Sequence, residues 1–449
     1  MRASTRFALA ALALGIVGAL AVGEGMARVA AWWSPTIREL AVPAREREPR
    51  AFASLEAYLA SKPTQVVPHR NWFNYWNNAL GLNDVEFVTP KPPGRFRILA
   101  IGDSFTFGLV PYPYAVMTLL EARLRDRCPG TDLEVLNFGI GGTRVRDYRI
   151  LAALVLERYE PDFVLVNFYA GNDAPNVFRL VHEPQRERSL LEVSRLWTLG
   201  RNALRLWRDV DELGAGRSPS TRPAGGVAPR GGEPVDPARH VSERDPALTG
   251  PIFTDDAWVA IQAEEMRRFY RPADPAVVDR AWAPILEDLE TIRAEVGRRG
   301  RRLALTVYPS ALQVAPAELA ALVAELRRRP RYAMLSTDAL DPVLPNRQLA
   351  RYCQGAALPC LDLTPVFVDA RRASADALYK QRDAHWTIRG NRVAAEAQAE
   401  FLAGLVCPGT RAPVSAPRRV TGRGGPRARR RATPAGIRSD ASRPAPAAP

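Results

Sequence analysis

Arg97-Ile98-Leu99-Ala100-Ile101-Gly102-Asp103-Ser104-Phe105-Thr106-Phe107-Gly108 is the stretch on which the fold turns. A short apolar run that ends in glycine and a small hydroxyl residue reads as a strand buried on both faces that feeds directly into a helix. Four more such runs follow, over residues 133–137, 163–168, 303–308 and 358–363, so five strands are expected. Helical patterns separate most of them, over residues 115–127, 146–159, 275–299 and 316–328, and a last one covers 388–405. Strand alternating with helix predicts an α/β fold: a parallel sheet with helices on both faces. Right-handed crossovers then bring the loops that follow the strands to one edge of the sheet.

The chemistry-bearing residues sit in those loops. Ser104 follows the first strand, where its hydroxyl is exposed at a helix start and the neighbouring amide can face an oxyanion; a cap or a phosphate-binding turn uses the same residue type. The second strand ends in Asn137-Phe138-Gly139-Ile140-Gly141-Gly142-Thr143, whose glycines let backbone approach a ligand closely. The third runs into Tyr169-Ala170-Gly171-Asn172-Asp173, which puts an amide donor at the same edge. Near the end stand Asp383-Ala384-His385-Trp386, directly before Thr387, a good N-cap for the last helix. In extended backbone, residues two apart face the same side, so Asp383 is expected to orient the imidazole that takes a proton from Ser104.

Taken together these four blocks resemble the SGNH or GDSL hydrolases, over most of residues 97–405. On that resemblance Gly102-Asp103-Ser104 is the nucleophile block, Gly142 and Asn172 join Ser104 in the oxyanion hole, and His385 is the catalytic histidine. The implied fold is a flavodoxin-like three-layer α/β/α sandwich with a five-stranded parallel sheet, and the implied chemistry is ester hydrolysis or acyl transfer without a cofactor. The lead with Asn78-Ala79-Leu80-Gly81-Leu82-Asn83-Asp84 before Lys91-Pro92-Pro93-Gly94 is similar to membrane-anchored bacterial members. One departure concerns the aspartate, which the family usually sets three residues before the histidine and which here lies two before. Asp-x-His-Trp, with Gly390 after it and Asp362-Leu363-Thr364-Pro365 upstream, instead resembles polysaccharide O-acetyltransferases.

The rest of the 449-residue chain bounds the setting. Residues 7–23 form an apolar run flanked by Arg2, Arg6, Glu24 and Arg28, which reads as a signal-anchor helix within residues 1–33, with secretion after signal cleavage as the alternative. Only this segment is apolar enough to span a bilayer, which excludes a polytopic membrane protein. Either reading exports the body, to the periplasm or beyond. An aromatic lead, residues 34–95, is expected as a lid, a collar or an ordinary loop ahead of a hydrolase-like domain at 96–408. Within that domain residues 189–213 have helical spacing, and about 214–250 read as a flexible insertion. The tail, 409–449, holds ten arginines and one aspartate, so about nine of the formal net +14 lie there. It is expected to be disordered, with anionic envelope components as its partner if it has one; nucleic acid is a poor partner because no aromatic platform is interleaved with the charge.

Four cysteines in an oxidising compartment allow one or two disulfides, Cys353 with Cys360 being the pair closest in sequence. With no Cys-x-x-Cys spacing and only four histidines, a zinc site is not expected. His69, His182 and His240 have no partner at useful spacing and read as structural or solvated. The leading functional expectation is an envelope serine esterase acting on an acylated glycan or lipid. An O-acyltransferase with the same residues is the alternative, and a non-catalytic envelope-binding protein is the third.

Overall fold

Five apolar segments pair in parallel in the computed structural model, which describes residues 3–34, 37, 41, 52–63, 65–72, 75–182, 194–201, 203, 250–329, 332 and 335–407. They are β1 (Phe96–Gly102), β2 (Leu133–Gly139), β3 (Phe163–Tyr169), β4 (Arg302–Tyr308) and β5 (Cys360–Asp362), in the spatial order 2-1-3-4-5. The order is that of the flavodoxin-like sandwich expected from the sequence. β1 and β2 run in full register from Phe96 opposite Leu133 to Gly102 opposite Gly139, and Ile101 lies opposite Val166 of β3. The chain therefore reverses its direction of travel across the sheet between β1 and β3. A crevice opens there at the carboxyl ends of the strands.

Alternation along each strand divides the core into two layers. Leu99, Ile101, Leu136, Phe138, Val164 and Val166 face one layer, built on α4 (Val145–Tyr159) and α6 (Pro275–Arg298). Ile98, Ala100, Val135 and Leu165 face the other, built on α3 (Val116–Arg127) and α10 (Ile388–Val406). Each strand is thus apolar on both faces, which is why the runs read as unbroken rather than alternating. Thr387 caps α10 by accepting from the Gly390 amide at 3.2 Å, as its position suggested. Gly390 itself admits no side chain, because a Cβ there would lie 2.3 Å from the Leu378 carbonyl oxygen.

Several elements were not legible. The fifth strand is shorter than 358–363, since Pro359 has no amide to donate and Leu363 already caps the next helix. Helix α8 (Leu344–Gly355) mixes Pro345, Asn346 and Gln348 with the apolar residues it buries, and helices α5 (Asp255–Met266) and α9 (Thr364–Ala373) bury only a narrow stripe each: Ala263, Glu265 and Met266 in α5, and Thr364 and Phe367 in α9. Such a stripe is weak periodicity. α7 (Pro316–Leu326) is the one predicted at 316–328, two residues shorter. Both disulfides form: Cys353 with Cys360, and also Cys128 with Cys407, which ties the ends of α3 and α10 together across 279 residues.

Ahead of the sheet, α1 (Ala3–Trp33) has one window, Leu14–Trp33, long and apolar enough to cross a membrane. Its side chains Leu14, Val17, Leu20, Met26 and Val29 are exposed on the protein. Glu24 on this helix accepts hydrogen bonds from the Ser194 hydroxyl at 2.8 Å and the amides of Arg195 and Leu196 at 2.9 Å. It thereby caps a returning helix that covers the described part, 195–201, of the segment expected at 189–213. Of the insertion only Gly250 is described, and the tail from 409 onward lies outside the described residues.

The lead is a buttress. A helix over Leu55–Ala60 buries Leu55, Tyr58 and Leu59 in the α4 side of the core, and the aromatic stretch folds into a ribbon of Asn71–Trp72 against Tyr75–Trp76. Asn83 donates to the carbonyls of Phe107 at 3.1 Å and Gly108 at 2.8 Å, and Asp84 accepts from the Asn137 amide at 2.8 Å. These bonds clamp the turn that follows β1 and the last residues of β2. Of the readings open for the lead, residues 55–60, 83 and 84 act as a support for the site.

Candidate active site

Ser104 opens a one-turn helix, α2 (Ser104–Phe107), whose N-cap is Asp103. The Asp103 carboxylate accepts from the Phe105 amide at 2.9 Å, so the aspartate of the motif is spent on bending the chain and not on proton transfer. Gly139 makes room for this bend: a Cβ there would fall 2.1 Å from the Phe107 nitrogen. The Ser104 amide is at the first helical position and so has no partner within its helix.

His385 reaches the same point from the far end of the chain. Its Nε2 lies 2.8 Å from Ser104 Oγ and its Nδ1 lies 2.6 Å from Asp383 Oδ1. The backbone between them is not the extended segment expected. It is a tight loop closed by an antiparallel bridge between Tyr379 and Trp386, with Arg382 in the left-handed region. Asp383 reaches the ring because its carboxylate also accepts from the His385 amide at 3.3 Å, an Asx turn that folds residue i back over residue i+2. The imidazole packs against Phe105, with ring centroids 5.0 Å apart, and Phe105 stacks on Tyr169 at 3.9 Å.

Asn172 and the glycine turn complete the rim. Asn172 Nδ2 donates to Asp103 Oδ2 at 2.8 Å, which leaves the second hydrogen of that amide for another acceptor. Gly142 is exposed with φ of +72°, a left-handed conformation that favours glycine. Gly141, to which the sequence reading assigned no role, points at the nucleophile: a Cβ there would be 3.9 Å from Ser104 Cβ.

Four buried carboxyls surround this point, and their environments differ. Burial pushes Asp103 up to about 6, against the Phe105 amide and the His385 charge. Burial, with the charge of Asp103, holds Asp173 well above the carboxylate range; it accepts from Tyr148 at 2.9 Å and the Tyr169 amide at 2.8 Å. Glu265 is likewise raised by burial, while accepting from Tyr169 at 2.5 Å and Ser310 at 2.7 Å. Asp383 alone goes the other way. Burial would raise it, but the charge and hydrogen bond of His385, with Lys380 nearby, bring it down to about 2. A depressed carboxylate contributes stability that is present above its unfolded value and lost as pH falls through the folded one. The melting temperature is therefore expected to drop as pH falls from 3.8 toward about 2, and Asp383→Asn is expected to flatten that part of the curve in a thermal melt series.

Asp103, Glu265 and Lys380 were not singled out from sequence, although Asp103 lay inside the quoted motif. Lys380 is buried, its amide donates to the His385 carbonyl at 2.8 Å, and its ammonium bonds the Leu109 carbonyl. Glu265 and Lys380 come from segments with no local signal. Among the described residues no group of His, Cys, Asp or Glu is arranged to hold a metal ion. Of the remaining histidines, His182 packs between Phe178 and Tyr270, with ring centroids 4.5 and 5.0 Å away, and His240 lies outside the described residues.

No family model matches the sequence, and no curated protein is significantly similar to it. Several solved structures are similar to it at low identity. One is described as a lipolytic protein of the G-D-S-L family from Desulfitobacterium hafniense, at 13% identity and TM-score 0.32, covering 68% of this chain and 99% of its own. Another is the lipase/acylhydrolase from Enterococcus faecalis, at 15% identity and TM-score 0.31, covering 69% and 96%. A third is a catalytic mutant of an acetylxylan esterase from Geobacillus stearothermophilus, at 12% identity and TM-score 0.33, covering 68% and 94%.

Proposed function

We propose that the chain is a serine esterase, anchored in a membrane by α1 with its catalytic body outside the cytoplasm, that cleaves O-acyl esters of an envelope glycan or lipid. The observation that carries this reading is the unbroken hydrogen-bonded series from Ser104 Oγ through His385 to Asp383. His385 Nε2 takes the proton as Ser104 Oγ attacks the ester carbonyl, and the ionised Asp383 keeps the other ring nitrogen protonated. The proton then passes to the leaving alcohol, and water resolves the acyl-enzyme by the same route in reverse. The developing oxyanion is held by the Ser104 amide, the Gly142 amide and the free hydrogen of the Asn172 side chain.

Acyl transfer to a glycan hydroxyl is the second reading, favoured by the Asp383-Ala384-His385-Trp386 stretch. Detergent-solubilised full chain, assayed for acetate release from nitrophenyl acetate with and without a soluble glycan, tests both. Hydrolysis without acceleration supports the esterase, and acetyl appearing on the glycan supports the transferase. No turnover of either kind would overturn the proposal. Asn172→Ala is expected to lower kcat about 10²-fold with a smaller change in KM, since an oxyanion donor acts chiefly in the transition state. An equal loss in kcat and gain in KM would remove it from that role.

A further inference from the structure

A side chain from the lead borders the nucleophile. A Cβ built on Gly141 would lie 3.9 Å from Ser104 Cβ and 4.0 Å from Gln65 Cγ, so those two carbons are no farther apart than the sum of these distances. Gln65 is exposed, yet the backbone beneath it is pinned on three sides. Lys62 and Tyr58 both bond Asp147 of α4, at 2.8 and 3.3 Å. The Gln65 and Val66 amides return to the Lys62 carbonyl, at 3.1 and 2.8 Å. Val66 is buried under Gly81, whose φ of +80° lets the chain press on it. An exposed carboxamide on so fixed a base, its Cγ within about 8 Å of Ser104 Cβ, is placed to meet substrate.

Building on the esterase reading, we infer that the gap between Gln65 and Ser104, floored by Gly141, is the subsite for the part of the substrate next to the scissile ester, and that this part is a polyhydroxylated sugar and not an alkyl chain. A carboxamide offers two donors and an acceptor without a charge, which matches hydroxyl groups. An alkyl chain packed on it would strip its hydrogen bonds to water without replacing them. The absence of a side chain at Gly141 keeps the gap open. An alanine methyl there would make ordinary contacts with both walls, and Gly141 has no positive φ, so the substitution fills the gap without straining the chain.

The test is binding, measured by calorimetry on the full chain in detergent with Ser104→Ala to prevent turnover and O-acetylated cellotetraose as the probe. Adding Gln65→Ala is expected to weaken binding about fivefold to tenfold, the loss of one or two uncharged hydrogen bonds. Gln65→Glu, which keeps an acceptor at the same reach, is expected to recover part of that loss, and Gly141→Ala to reduce affinity at least as much as Gln65→Ala. Unchanged affinity in Gln65→Ala, or binding of decanoyl glycerol but not the tetrasaccharide, would overturn the subsite. The two readings fail separately: with Ser104 present, no ester turnover beside an intact Gln65 effect ends the esterase alone, and turnover without a Gln65 effect ends the subsite alone.

Discussion

Ser104→Ala is expected to reduce release of acetate from nitrophenyl acetate by at least about 10⁴-fold, because the nucleophile has no substitute and the remaining donors only polarise the carbonyl. The folded state should be untouched. Ser104 Oγ has a hydrogen bond to His385, but the turn it sits in is held by Asp103, Asn83 and the Gly139 contact instead. The measurement is kcat/KM beside a thermal melt of the same preparation. Activity within tenfold of the parent, at an unchanged melting temperature, would mean that the observed turnover comes from elsewhere and that the Ser104–His385–Asp383 series is structural.

The second large effect is on stability. Cys128→Ala with Cys407→Ala opens a covalent loop spanning 279 residues, whereas Cys353→Ala with Cys360→Ala opens one spanning only 7. Chain-entropy scaling makes the first worth about 5 kcal/mol and the second about half of that. For a body of this size about 5 kcal/mol corresponds to a fall in melting temperature of roughly 10 °C or more. The long-range bridge also joins α3 to α10, and α10 follows directly on the loop that carries His385. Loss of the bridge is therefore expected to lower the temperature at which activity disappears along with the melting temperature. Equal destabilisation by the two double variants would show that strain or packing, and not loop closure, sets their value.

How far the site was legible depends on how local each cause is. Ser104, Gly142 and Asn172 were singled out because each lies in a turn after a strand and matches a block of the resembled family, and parallel topology sends those strand ends to one edge. The register of Gly102 opposite Gly139 bears this out for the first two turns. His385 was singled out from its own short block, but the reason given for its alignment with Asp383 was incorrect. Alternation in an extended chain was expected, and an Asx turn closed by the Tyr379–Trp386 bridge does the work. Both residues of that bridge lie within four positions of Asp383, yet an Asp two places before a His fits an extended segment and an Asx turn alike.

Gln65, Lys380 and Glu265 were invisible for the opposite reason. Each owes its place to residues far away in the chain: Gln65 to Asp147 and Gly81, Lys380 to the Leu109 carbonyl, Glu265 to Tyr169 and Ser310. The amino-acid sequence by itself determined the layered α/β architecture, the edge at which chemistry gathers and the residue types there, because those follow from hydrophobic periodicity and turn chemistry within a few residues. Only the tertiary structure decided which carboxyl is held below the usual range, which glycine lies beside the nucleophile and that the lead borders the site. Those outcomes depend on desolvation and contacts between segments tens to hundreds of residues apart, and these arise only when the chain closes on itself.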